Sequence, residues 1–141
     1  MPVRSTEAVW EGTLREGSGT IKSESGHIDA PYTWKARFEE GDETNPEELL
    51  GAAHAACFAM QVAANLQRAG FDPQRMKATA NVHMEKVDGA QTITKIVLDL
   101  EGEAPDVSED EFLEAATAAK ENCIISRALA AVETEMNAKL V

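Results

Sequence analysis

The stretch Asn45–Met60, NPEELLGAAHAACFAM, limits what this chain can fold into more than any other. It opens on a proline beside two carboxylates and turns almost wholly apolar before Cys57, the first of two cysteines. A helix that is apolar on all sides cannot lie on a surface, so this segment is expected to be the buried central helix of its domain. Thr44 or Asn45 supplies an N-cap and Pro46 takes the first helical position. Glu47 and Glu48 fall in the first turn, where a helix end favours negative charge, and capping alone accounts for both. Gly70 is expected to end the helix after about Ala69, with Pro73 preventing its resumption.

Helical spacing places Leu50, Ala53, His54, Met60, Gln61 and Ala64 on or near the side of Cys57. Alanines at 52, 53, 55, 56 and 59 leave room for another helix or a partner subunit to approach closely. His54 is a candidate base for Cys57, and a satisfied core or rim histidine is the plainer reading. A thiol buried in such a helix is inert unless something stabilises its thiolate, because burial raises a thiol pKa. An arginine would do so. Arg37, Arg68 and Arg127 are the candidates, and periodicity sets none of them beside Cys57.

Around this helix the chain alternates strands and turns. A first strand is expected within Ser5–Leu14, a turn at Gly17–Gly19, a return strand over TIKSE and a second turn at SGH. YTWKARF, Tyr32–Phe38, reads as a third strand with Tyr32, Trp34, Ala36 and Phe38 on one face and Arg37 on the other, where a solvated side chain is the bland reading. Met76, Ala78, Ala80, Val82 and Met84 then alternate with polar residues, Asp88-Gly89 signals a hairpin, and Thr94, Ile96, Leu98 and Leu100 share a face of the returning strand. His83 falls on the polar face and needs no special role.

A second helix begins at Ser108, with Glu111 three residues on to complete a capping box. Its Phe112, Ala115, Ala116 and Ala119 make a stripe of small residues beside one ring, suited to close packing on the central helix. Cys123 falls at the break after it, and amides of a new helical turn there would help to stabilise a thiolate. Val132, Thr134, Met136, Ala138 and Leu140 alternate as a closing strand. The class is α+β, with curved antiparallel sheet against helices.

With 141 residues and no linker-like region, residues 1–141 are read as one domain that needs no metal or disulfide to fold. Acidic residues number 25 against 13 Lys and Arg, a formal charge of -12, which disfavours nucleic acid and anionic membrane as partners. No run approaches the length of an uninterrupted apolar membrane span, and the N-terminus has no signal-like apolar stretch, so a cytoplasmic protein is expected. The cysteines fit no compact zinc spacing and no CxxC motif. They are two inert buried thiols, a reactive pair or, least in keeping with a reducing compartment, a structural disulfide.

TNPEELLGAAHAACFAM, Thr44–Met60, resembles the signature of the OsmC and Ohr family of organic hydroperoxide reductases. The resemblance extends through SGHIDAPYTWKARFEEGDETNP, VDGAQTITKIVLDLEG and KENCIISRAL, and GAAHAACF with YTWKARF is nearer the OsmC branch. It implies an α+β unit that forms an intertwined homodimer, with central helices enclosed by sheets and two active sites at the subunit interface. By the same resemblance Cys57 is the peroxidatic cysteine, Cys123 the resolving one, Arg37 the arginine that contacts the reactive sulfur and Glu47 the carboxylate that orients it. On one straight helix Glu47 and Cys57 would be about 15 Å apart along the axis, so Glu47 would act through Arg37 or lie before the helix proper. The family commonly has proline after the second cysteine, where Ile124 stands here.

The implied chemistry needs no cofactor. Cys57 attacks an organic hydroperoxide, passes through a sulfenic acid to a Cys57–Cys123 disulfide, and is reset by an external dithiol or lipoyl-type reductant. One alternative from the residues alone is a non-enzymatic dimeric stress or binding protein with two structural thiols. Another is a thiol-transfer or acyl enzyme in which His54 points at the Cys57 sulfur.

Overall fold

The computed structural model describes residues 1–141, which form two compact units, 1–49 and 50–141.

In the first unit β1 (Thr6–Glu11), β2 (Ser18–Ser23) and β3 (Asp29–Tyr32) make an antiparallel meander in that order. Ser18 and Gly19 already belong to β2, so the first turn falls earlier than the GSG sequence suggests. Gly19 pairs across from both Trp10 and Tyr32, and without a side chain of its own it leaves those rings free to meet, 5.3 Å apart.

The third strand stops at Tyr32, and α1 (Lys35–Phe38) replaces the extended segment expected through Phe38. The reason is local. The Thr33 hydroxyl accepts from the Ala36 amide at 3.2 Å, and the Glu39 amide donates to the Lys35 carbonyl at 2.8 Å, so the backbone closes on itself. Trp34 and Phe38 thus meet as an i, i+4 pair, with centroids 5.2 Å apart, and not as alternate residues of a strand.

The second unit holds most of the long helix α2 (Pro46–Arg68), the hairpin β4 (Arg75–Val87) and β5 (Ala90–Glu103), α3 (Glu109–Asn122), the short α4 (Ile124–Ala128) and β6 (Glu133–Leu140). Its sheet runs β4-β5-β6, antiparallel in the hairpin and parallel where β6 joins β5. The hairpin turn is two residues, Asp88 and Gly89, both at positive φ, and the ladder slips once between His83 and Met84.

α2 starts and stops as its sequence dictates. The Asn45 side chain accepts from the Glu48 amide at 2.8 Å, and Pro46 takes the first position. At the far end Gly70 at φ 92° lets the Phe71 amide reach the Leu66 carbonyl and its own amide reach Gln67, both at 3.0 Å.

Gly51, His54, Phe58, Val62 and Leu66 form the buried stripe of α2, and Phe58, Val62 and Leu66 join a core with Ile96, Leu98 and Leu100 of β5 and Phe112, Ala116 and Ala119 of α3. Gly51 sets the approach to β4, since a Cβ there would lie 3.3 Å from Val82 Cγ2. The Asn65 amide ties α2 to α3 through the Ala115 carbonyl at 3.0 Å.

Within the single chain α2 is not buried on all sides. Ala52, Ala53 and Ala56 are exposed, and Met60 is 74% exposed. α2 is also long and apolar enough to cross a membrane, although its buried stripe packs on sheet as a domain helix does.

Candidate active site

Cys57 lies halfway along α2, partly exposed, one residue before the buried ring of Phe58. Cys123 lies at the junction of two helices. Its amide donates to Ala119 to close α3, and its sulfur accepts from the Ser126 amide at 3.3 Å to open α4. The break forms because its φ and ψ of -62° and 150° take the backbone out of the helical region for one residue.

These features bring the two cysteines together. The Cys57 sulfur lies against the Cys123 thiol and the backbone amides of Ile124 and Ile125, and both thiols are free. Burial pushes the Cys57 thiol up, the Ile125 amide pulls it down, Cys123 raises it, and the Ile124 amide opposes that rise. Amides of the new turn face both thiols: that of Ser126 donates to Cys123, as the sequence suggests, and those of Ile124 and Ile125 act on Cys57.

His54 does not serve Cys57 directly. Its ring is fully buried with Nε2 2.8 Å from the Ser126 hydroxyl, and Nδ1 has no partner. The reading that aims His54 at the Cys57 sulfur is therefore not the arrangement observed. Ser126 lies in turn 3.0 Å from the Cys123 sulfur. Sequence reasoning missed this serine, and the signal was its position three residues after a residue able to cap a helix.

In the first unit Arg37 and Glu47 form a fork. Arg37 Nε lies 3.1 and 3.2 Å from the two Glu47 oxygens, and Nη2 lies 2.5 Å from Oε1. Glu47 is buried while the Arg37 side chain keeps 39% of its exposure. The Asn45 side chain that caps α2 also donates to the Ala36 carbonyl at 2.9 Å, which holds the α1 backbone beside Arg37. A guanidinium has five N–H donors in a fixed plane, so those not given to Glu47 remain for another anion or oxygen. The side chain faces Glu47 from a helical turn, in place of the wet face of a strand.

No group of three or more His, Cys, Asp or Glu suited to hold a metal ion occurs in the structure. The chemistry this arrangement offers is that of a thiol pair and a separately anchored guanidinium.

Residues 39–137 match the family model for OsmC-like proteins. The chain is 44% identical over 126 residues to peroxiredoxin OsmC of Escherichia coli, an alignment covering 89% of this chain and 88% of that one. Its fold is similar to that of an organic hydroperoxide resistance protein from Elizabethkingia anophelis, with a TM-score of 0.76, 21% identity and 99% of each chain covered. The OsmC protein of Legionella pneumophila gives a TM-score of 0.75 at 20% identity, again over 99% of each chain. The chain belongs to the OsmC-like family and is closest to its OsmC branch. It is a redox enzyme of the peroxidase type.

Proposed function

We propose that the protein, one OsmC-like domain over residues 1–141, reduces organic hydroperoxides to alcohols with Cys57 as peroxidatic and Cys123 as resolving cysteine. The observation that carries this reading is the placement of Cys57 against the core cluster that holds Cys123, near enough for Cys123 and the first amides of α4 to act on its thiol. A pair of merely structural thiols has no need to be neighbours.

The chemistry follows from the groups. The Cys57 thiolate attacks the distal peroxide oxygen, the O–O bond breaks, and the alkoxide leaves as alcohol after taking a proton. Cys57 is now a sulfenic acid. Cys123 attacks its sulfur, the S–O bond breaks, and a disulfide and water result, which withholds the sulfur from over-oxidation. An external dithiol or lipoyl-type reductant then reduces the disulfide and is itself oxidised.

Burial opposes the Cys57 thiolate, so a cation must favour it, and Arg37 is the residue proposed for that work. Its guanidinium would stabilise the sulfur and hold a peroxide oxygen through the N–H groups that Glu47 leaves free. Glu47 acts as a positioning residue, fixing the guanidinium plane through two points. The packing of Cys57 against the apolar core favours a substrate with a hydrocarbon tail over hydrogen peroxide. The exposed alanines and Met60 of α2 suit burial against a second copy, and a cytoplasmic homodimer is the assembly proposed.

Peptide mapping tests the reading. Reduced protein given one equivalent of cumene hydroperoxide should yield a Cys57–Cys123 disulfide that dithiothreitol reverses. Persistence of both free thiols while peroxide is consumed would refute the pairing.

A further inference from the structure

Three buried side chains of the second unit form one line of hydrogen bonds. His54 Nε2 is 2.8 Å from Ser126 Oγ, which is 3.0 Å from Cys123 Sγ. His54 and Cys123 have no exposed surface and Ser126 has 9%. Bulk water therefore has no direct access to the Cys123 thiol, yet in the reaction proposed above that thiol must shed a proton as it attacks.

We propose that Ser126 and His54 are the proton relay of the resolving step. The inference rests on the assignment of Cys123 as resolving cysteine. A hydroxyl donates and accepts at the same atom, so it can join a thiol to an imidazole in either sense. At rest the Cys123 S–H donates to Ser126 Oγ, and the Ser126 hydroxyl donates to the lone pair of His54 Nε2, with the ring hydrogen on Nδ1. As Cys123 attacks, its proton passes to Ser126 Oγ while the Ser126 proton passes to Nε2. The line then runs the other way, and the Ser126 hydroxyl and amide both donate to the sulfur anion. The S–S bond forms, the Cys57 S–O bond breaks, and the hydroxide departs at the partly exposed Cys57, where it becomes water with a proton from solvent, while the proton held by His54 is released to solvent afterwards, so that charge balances. No oxidant beyond the peroxide already consumed is needed.

Burial holds His54 below the ordinary imidazole pKa, which keeps the ring neutral at rest so that Nε2 can accept from Ser126.

The test separates the two chemical steps. Reduced wild type, Ser126→Ala and His54→Gln are each mixed with one equivalent of cumene hydroperoxide. Dimedone trapping follows sulfenic acid at Cys57, and quenched mass spectrometry follows the disulfide. In both variants sulfenic acid should form within about twofold of the wild-type rate while disulfide closure slows by at least ~100-fold, the low end of general acid–base effects. A purely structural role would slow both steps together, and that result overturns the relay. Closure at the wild-type rate in either variant overturns it as well. A wild-type protein that forms no sulfenic acid at Cys57, or none that proceeds to the disulfide, overturns the underlying reading and the relay with it.

Discussion

Cys57 is a thiol that burial pushes toward its protonated form and that two amides pull partway back. One of those amides belongs to Ile124, at the first position of α4, where proline is the residue that helices favour and where it would remove the donor. Ile124→Pro is therefore expected to leave the fold intact and raise the Cys57 thiol pKa further, checked by the pH dependence of its alkylation. An unchanged or lower pKa would show that this amide does not act on the sulfur. His54 makes a second prediction. Its folded pKa lies below the ordinary 6.5, so between those values the unfolded chain binds more protons than the folded one. The contribution is fully present above 6.5 and is lost as pH falls toward the folded value. Urea unfolding at about pH 7.5 and about pH 5.5 should show a larger acid loss for wild type than for His54→Gln. At this scale the sequence showed both cysteines as candidates, because a thiol is conspicuous by its own chemistry. Ser126 was not legible, because what marks it is a hydrogen bond to His54 on a distant helix.

Elements were legible where side-chain pattern and backbone chemistry agree. The capping box of α3 forms as expected, with the Ser108 hydroxyl accepting from the Glu111 amide at 3.1 Å and the Glu111 carboxylate accepting from the Ser108 amide at 3.0 Å. The Ser108 hydroxyl and then the Ser108 amide, both beside the Glu111 carboxyl, hold it below its usual value. Ser108→Ala should cost about 0.5–2 kcal/mol in urea unfolding, and a loss well below that range would mean the box contributes little. The same rules applied to Thr33 would have found α1. There the alternation of aromatic residues suggested a strand, but an i, i+4 aromatic pair satisfies it equally, and the Thr33 cap decides the matter. β6 alternates as read, Thr134, Met136, Ala138 and Leu140 being the less exposed positions, yet side-chain alternation carries no strand direction. Its parallel pairing with β5 therefore could not be read from it.

For the whole molecule, the apolarity of α2 exceeds what one chain buries. Phe58, Val62 and Leu66 account for one face, while Ala52, Ala53, Ala56 and Met60 remain uncovered. The expected burial of the helix is met within this chain on one face only, since composition does not say whether a helix is enclosed by its own chain. If a second copy does so, wild type sediments as a dimer, and Ala53→Glu, which places an unpaired charge in that contact, shifts it toward monomer. A monomeric wild type at micromolar concentration would remove the dimer from the proposal. The central claim is chemical, that peroxide reduction begins at Cys57. Its most direct test is steady-state turnover of cumene hydroperoxide with dithiothreitol, comparing wild type with Cys57→Ala. The claim predicts that turnover falls to the uncatalysed background in the variant while its far-ultraviolet circular dichroism is unchanged, and a folded Cys57→Ala protein that still turns over would contradict it.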